Sequence, residues 1–274
     1  MDPRLQRRIQ RYGWDLAVDS YAQHWHALLA GVQADALALA APKAGEYALD
    51  VACGTGVVTA AMAKAVGPTG SVVGADLSAG MVASAESRLL AAGISQARCE
   101  RMDAEALSLP TASVDLVVCA LGLMYMPDAE AALREMHRVL RPGGRAVLAV
   151  WGERARCGWA SLFGIVDAEV HSEVCPLFFR LGQGDALARA CADAGLVVTH
   201  SRCKDDTLWH ADASAACEAA FAGGPVALAW SRFDDTTRDR VSTQYLDTIA
   251  QWREGTAYRL PAEFVLVVAE RPAV

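Results

Sequence analysis

The chain has 274 residues, enough for one α/β domain with an added cap, and 53% of them are hydrophobic, which excludes a disordered chain. A net charge of −7 speaks against a duplex-binding protein, which would present a basic face to phosphates. No stretch reaches the ~18 uninterrupted apolar residues of a membrane span. The charged start, MDPRLQRRIQRYGWD, lacks the ~7–15-residue apolar core of a signal peptide. The expectation is a cytoplasmic protein with no membrane span and no nucleic-acid partner.

In chain order, residues 1–42 read as helical, with apolar residues at helical spacing and Pro42 ending the run. Strands and helices then alternate. EYALDVAC (46–53) is a strand closed by glycine, and GVVTAAMAKAV (56–66) a helix stopped by Gly67-Pro68. SVVGAD (71–76) is a strand. SAGMVASAESRLLAAG (78–93) is a helix capped by Ser78 and ended by glycine. ARCERMD (97–103) and SVDLVVCAL (113–121) are strands. DAEAALREMHRVL (128–140) is a helix capped by Asp128, and RPGGRAVLAVW (141–151) turns into a fifth strand. Beyond Trp151 we expect a helix over 184–195, a strand over 196–203, helices around 212–222 and 235–252, and a last strand over 263–271. Residues 157–182 and 204–255 read as cap material.

The β-then-α order predicts an α/β, Rossmann-like, mostly parallel sheet with helices on both faces and a helical cap. Right-handed crossovers place the strand carboxyl ends along one edge, where ligands of such sheets bind. The expected organisation is a helical lid over 1–42, a ligand-binding core over 43–156, and cap insertions with the final strands over 157–274.

Chemistry concentrates at that edge. Asp50-Val51-Ala52-Cys53-Gly54-Thr55-Gly56 follows the first strand and opens a helix. Glycines there let the backbone turn tightly and approach a ligand. A dinucleotide site would want a third glycine or alanine where Thr59 stands, and its pyrophosphate would be repelled by Asp50. S-adenosylmethionine (SAM) instead carries an ammonium and a sulfonium, both favoured by negative surroundings. Asp76 ends the second strand and is placed to accept from both ribose hydroxyls. Asp103 ends the third strand, before Ala104, and is placed to meet an adenine amine, with Leu77 and Met81 flanking the ring. Three acids on three successive strand ends beside a G-x-G point to a nucleoside ligand with a cationic tail.

The stretches LDVACGTGVVT (49–59), VVGADLSAGMV (72–82), RMDAEALSLPTASVDLVVCALGL (101–123) and LREMHRVLRPGGRAVLAV (133–150) resemble the "type 11", ubiquinone/menaquinone-biosynthesis group of class I SAM-dependent methyltransferases. The resemblance runs through about residues 44–151. It implies a seven-stranded sheet of order 3-2-1-4-5-7-6 with the last strand antiparallel. It implies that Asp50, Ala52, Gly54, Thr55 and Gly56 hold the methionine end of SAM, that Asp76 binds the ribose, and that Leu77, Met81, Asp103 and Ala104 surround the adenine. Cys119 and Ala120 would offer backbone groups near the methionine, and Tyr21 would cap its carboxylate from the lid. Arg141-Pro142-Gly143-Gly144 would be a structural turn. The chain departs from the group after the fourth strand, where a histidine pair is common and Leu123-Met124-Tyr125 stands here.

Methyl transfer from a sulfonium mainly requires alignment and exclusion of water, so no catalytic side chain is dictated. Candidates near the mouth are Tyr21, His24, His26, Tyr125, His171 and His210; His137 reads as structural. Trp151, Trp159, Phe178, Phe179, Trp209 and Trp230 are candidates for an apolar acceptor pocket or for core. The eight cysteines form no Cys-x-x-Cys pair, and no metal-ligand spacing is present, so no metal is expected. A thiophilic site of Cys175, Cys203 and Cys217 has no support from spacing. The expected function is SAM-dependent methylation of a small apolar or aromatic molecule. A SAM-binding protein without catalysis and, behind it, an NAD(P)-dependent oxidoreductase are the alternatives. A homodimer is left open.

Overall fold

Two helices lead the chain: α1 (Pro3–His24) and α2 (His26–Ala40). The sequence predicts one helix here; the structure breaks it at Trp25. Backbone bonding nearly continues, with Trp25 N–H donating to the Tyr21 carbonyl and Leu29 N–H to the Trp25 carbonyl, both at 2.9 Å. The kink has a tertiary cause. The Trp25 indole N–H donates to the carbonyl of Ala219 at 2.9 Å, and its ring meets Trp151 and Trp159 edge-on at 6.0 and 5.8 Å. The computed structural model describes residues 3–172 and 175–273. The expected helical and cap units extend to Met1, Asp2 and Val274 and across Glu173 and Val174, which lie outside the described residues.

The alternating unit follows as β1 (Tyr47–Val51), α3 (Val57–Val66), β2 (Ser71–Asp76), α4 (Ala79–Ala91), β3 (Ala97–Arg101), β4 (Val114–Ala120), α5 (Ala129–Val139) and β5 (Leu140–Trp151). The two caps expected from sequence form: Ser78 Oγ accepts from Met81 N–H and Asp128 Oδ1 from Ala131 N–H. The 141–144 turn lies within β5 as a bulge. Val114 pairs with Leu140 and Leu116 with Arg145, so four residues loop out opposite Asp115, whose carboxylate receives the Arg141 guanidinium at 2.6 Å.

The cap half holds α6 (Ser161–Val170), α7 (Ala186–Asp193), β6 (Val197–His210), α8 (Ala213–Cys217), a π-helical turn Glu218–Ala222, α9 (Ala227–Trp230), α10 (Asp235–Ile249), β7 (Arg253–Glu254) and β8 (Ala257–Glu270). The sheet order is β3-β2-β1-β4-β5-β8-β6, with β7 pairing on β8. β1 to β5 are parallel, and β8 runs antiparallel to both β5 and β6. This is the expected order, extended by the two-residue β7. β6 and β8 are each 14 residues, longer than the sequence predicts, because they pair as one antiparallel ladder from His210–Tyr258 back to Val197–Glu270.

The parallel strands are apolar because both faces are covered: Leu49, Val51, Leu116–Cys119 and Ala146–Val150 are fully buried. Register aligns their ends. Asp50 lies opposite Gly74 and Val118, and Asp76 opposite Arg101. The loops after β1, β2, β3 and β4 therefore open on one edge of the sheet. Two glycines there answer close approaches: a Cβ on Gly56 (φ +78°) would meet the Ala85 Cβ at 2.8 Å, and one on Gly122 the Ala52 Cβ at 2.3 Å.

Candidate functional site

The carboxylate of Asp76 is the hinge of the site. Its Oδ2 accepts from the Gly54 N–H and its Oδ1 from the Ser78 N–H, both at 2.9 Å. One side chain thus fixes the glycine loop and the start of α4 together. Burial pushes its carboxyl above the ordinary range, and the two backbone N–H groups pull the other way. Asp50 lies deeper. It accepts from the Thr59 hydroxyl at 2.6 Å, and burial pushes its pKa up to about 7. Asp103 accepts from the Glu105 N–H at 2.9 Å and receives the Arg7 guanidinium of α1 at 3.3 Å; Arg7 also pairs with Glu105.

Asp76 and Asp103 border a cleft of about 1040 Å³, space open to solvent included. Ala52, Gly54, Asp76, Leu77, Met81, Asp103 and Ala104 line its end beside the acid-bearing strand ends. The far end is aromatic. Trp14, Tyr21, Trp25, Tyr125, Trp151 and Trp159 wall it, joined by Gly223–Pro225 of the cap. Trp14 meets Tyr21 and Tyr125 edge-on at 5.6 and 5.1 Å, and Trp151 packs on Trp159 at 4.7 Å. Burial raises the hydroxyls of Tyr21 and Tyr125 well above their ordinary pKa, so both stay protonated at neutral pH. A side chamber shares Tyr21, Ala52, Gly54 and Ala120 with the cleft and adds Gln33, Asp50, Cys53 and Thr55.

Other predicted residues sit elsewhere. Gly56 lines neither space and packs on α4. Cys119 is fully buried behind the edge, while its neighbour Ala120 lines the cleft. His24 is not a lining residue; it lies beside His210, whose pKa burial and then His24 lower to about 4. His26 holds the glycine loop instead, with Nε2 2.6 Å from the Thr55 hydroxyl. His171 closes the C-terminus of α6 in the left-handed region, and His137 packs under Gly195. Phe178 and Phe179 are buried behind Tyr125 and Trp159, Trp230 stacks on Phe221 at 4.8 Å, and Trp209 points outward, 57% exposed. Cys175, Cys203 and Cys217 do not converge, and no metal-binding cluster occurs among the described residues. No helix among them is long and apolar enough to cross a membrane.

Sequence reasoning missed Arg7, Gln10, Trp14 and Gln33. The signal was there. Positions 7, 10, 14 and 21 share one face of α1, and Gln33 is the lone amide in the apolar helix AGVQADALALA.

Residues 48–144 match the model of a methyltransferase domain. The chain is 36% identical over 127 residues to a demethylmenaquinone methyltransferase from Lactobacillus johnsonii, spanning 44% of this chain and 52% of that protein. It is 41% identical over 148 residues to the ubiquinone/menaquinone biosynthesis C-methyltransferase UbiE of Xanthomonas campestris pv. campestris, spanning 53% and 57%. Over this part the chain is similar to class I SAM-dependent methyltransferases. It spans about half the length of the curated relatives it matches. The methyltransferase fold extends over nearly all of it: a protein of Bacillus halodurans C-125 solved as a methyltransferase superposes with a TM-score of 0.65 at 19% identity, covering 88% of this chain and 99% of that one. At that identity the likeness shows the fold alone. SAM is the cofactor of such methyltransferases, and the matched stretch is the part of the chain that carries the acids and the glycine loop.

Proposed function

We propose that the chain transfers a methyl group from SAM to a small, uncharged, apolar or aromatic molecule. The observation that carries this reading is a single cleft joining the three acid-bearing strand ends to an aromatic compartment.

The residues present fit the cofactor. Asp76 keeps lone pairs beyond its two backbone bonds for the ribose hydroxyls, and Leu77 and Met81 flank the adenine, whose amine meets Asp103 and Ala104. The acids suit a cationic ligand. When bound, SAM supplies an electrophilic methyl group on a sulfonium. The protein's part is to hold the nucleophile in line and keep water out, which the tryptophan and tyrosine walls do.

The aromatic compartment holds no charged side chain among its described lining residues; the cleft's charges, Arg7, Asp76, Asp103 and Glu105, sit at the nucleoside end. That argues for an uncharged acceptor. Tyr21 and Tyr125 keep their protons at neutral pH, so neither serves as a base. The acceptor's nucleophile would then draw no base from these two side chains. The relatives are named for quinone acceptors; the histidine pair common after β4 in that group is replaced here by Leu123-Met124-Tyr125. We read α1 and α2 as the lid, 43–156 as the cofactor core, and 157–274 as the source of acceptor specificity.

Calorimetric titration with SAM, S-adenosylhomocysteine and NADPH, on the wild type and on Asp76→Ala, tests the cofactor. Micromolar binding of the first two, lost in the variant and absent for NADPH, supports the reading. Methyl-labelled SAM incubated with a panel of apolar aromatic acceptors then tests the reaction. Tight NADPH binding without SAM binding overturns both.

A further inference from the structure

We propose that Gln33, on α2, receives the ammonium of the cofactor's amino-acid end in the side chamber beside the glycine loop. The inference rests on the cofactor reading above. Gln33 is 8% exposed, and its Oε1 is buried with no hydrogen-bond partner. An orphaned buried acceptor is costly, and Gln33 borders the side chamber, so its unfilled oxygen points to a donor that arrives from outside.

The chamber specifies the donor. Its described lining holds no cationic side chain; beside the hydroxyls of Tyr21 and Thr55 it offers the Gln33 amide, the Asp50 carboxylate and the backbone of Cys53–Thr55. A carboxylate would be repelled there, whereas an ammonium finds partners. The chamber also joins the main cleft at Tyr21, Ala52, Gly54 and Ala120. A ligand whose ribose lies at Asp76 can therefore extend its tail toward Gln33. The position is braced, because α2 is tied to the same loop by the His26–Thr55 contact at 2.6 Å. Gln33 thus joins a lid helix to cofactor recognition, a task the glycine motif alone does not perform.

The test uses two ligands that differ by the amino-acid end. S-adenosylhomocysteine carries it; 5′-methylthioadenosine lacks it. Their affinities are measured by calorimetry for the wild-type chain and Gln33→Met, a substitution of similar shape without the amide. The expected result is a loss of about tenfold or more for S-adenosylhomocysteine, as for a hydrogen bond to a charged group. The affinity for 5′-methylthioadenosine stays unchanged. The ligand-free melting temperature of Gln33→Met should be equal to or above that of the wild type, since an unpaired acceptor has been removed. Equal weakening of both ligands, or no change in either, overturns the proposal while leaving the cofactor reading intact. Wild-type protein that takes neither ligand overturns both.

Discussion

Asp15 of α1 binds the loop after β2 through one oxygen: its Oδ1 accepts from the Ser78 hydroxyl at 2.6 Å and from the Gly80 N–H at 3.0 Å. Ser78 N–H in turn donates to Asp76, so α1 and the carboxylate proposed to bind the ribose share one loop. With Arg7 on Asp103, α1 is latched at two of the strand ends that carry the acids. Asp15→Ala should loosen α1 more than it unfolds the core. The release rate of S-adenosylhomocysteine, followed by stopped-flow tryptophan fluorescence, should rise at least fivefold. An unchanged release rate would show that α1 does not gate the cleft.

Arg7 presents a milder case. Its pair with Asp103, each side chain about a third exposed, contributes about 0–1 kcal/mol, and its pair with Glu105, whose side chain is only 5% exposed, adds to that. Arg7→Ala should lower the melting temperature by no more than a few degrees. Release of S-adenosylhomocysteine by the wild type should also become faster between about 0.05 and 0.5 M salt, as exposed ion pairs are screened. Arg7→Ala should lose most of that salt dependence.

The raised pKa of Asp50 makes cofactor binding depend on pH. The folded chain holds this proton up to about pH 7, whereas the unfolded chain releases it near 4. The sign follows: the group's contribution to stability is fully present below about pH 4 and declines as pH rises to about 7, by a few kcal/mol at most. An arriving cation favours the ionised carboxylate, so SAM affinity should climb from pH 5.5 to about 7 and then level. Calorimetry in buffers of different ionisation enthalpy should detect proton release on binding at pH 6 and little at pH 8.5. Asp50→Asn should flatten both curves.

Two tryptophans in one wall give opposite expectations. The Trp25 indole donates to Ala219, whereas that of Trp159 is buried without a partner. Trp25→Phe loses a buried hydrogen bond and strands a carbonyl, and should cost about 1–3 kcal/mol beyond the loss of volume. Trp159→Phe removes an unpaired donor and should cost less. Urea melts of the two variants compare them directly; equal losses would refute the distinction.

How legible this was depended on distance along the chain. The cofactor edge could be read because each acid stands at the end of its own strand, punctuated by glycine or a helix cap: Asp50 before Gly54, Asp76 before Ser78. The aromatic compartment could be read only in part: Tyr125, Trp151 and Trp159 stood among the candidates, but Trp14 and Gly223 come from distant segments and join them only through tertiary folding. The break at Trp25 was hidden for the same reason, its cause lying at Ala219 and in two other tryptophans. Local propensity continues a helix there, and packing overrides it. The bulge in β5 hid differently: Pro142-Gly143-Gly144 reads as a turn, and only the opposing Asp115 shows that the strand carries it as a loop-out.

The place of β8 has a consequence for how the chain is made. β5 emerges from the ribosome with one flank unpaired, and its partner on that side, β8, follows more than a hundred residues later. At roughly 5–20 residues per second that delay is on the order of ten seconds. Throughout it, the Ala146–Val150 stretch offers an apolar, hydrogen-bonding template to any passing strand. Nascent chains arrested before Ala257 should therefore be held by chaperones or aggregate, and the cofactor-binding half, although continuous in sequence, should become protease-resistant only after β8 has been threaded between β5 and β6.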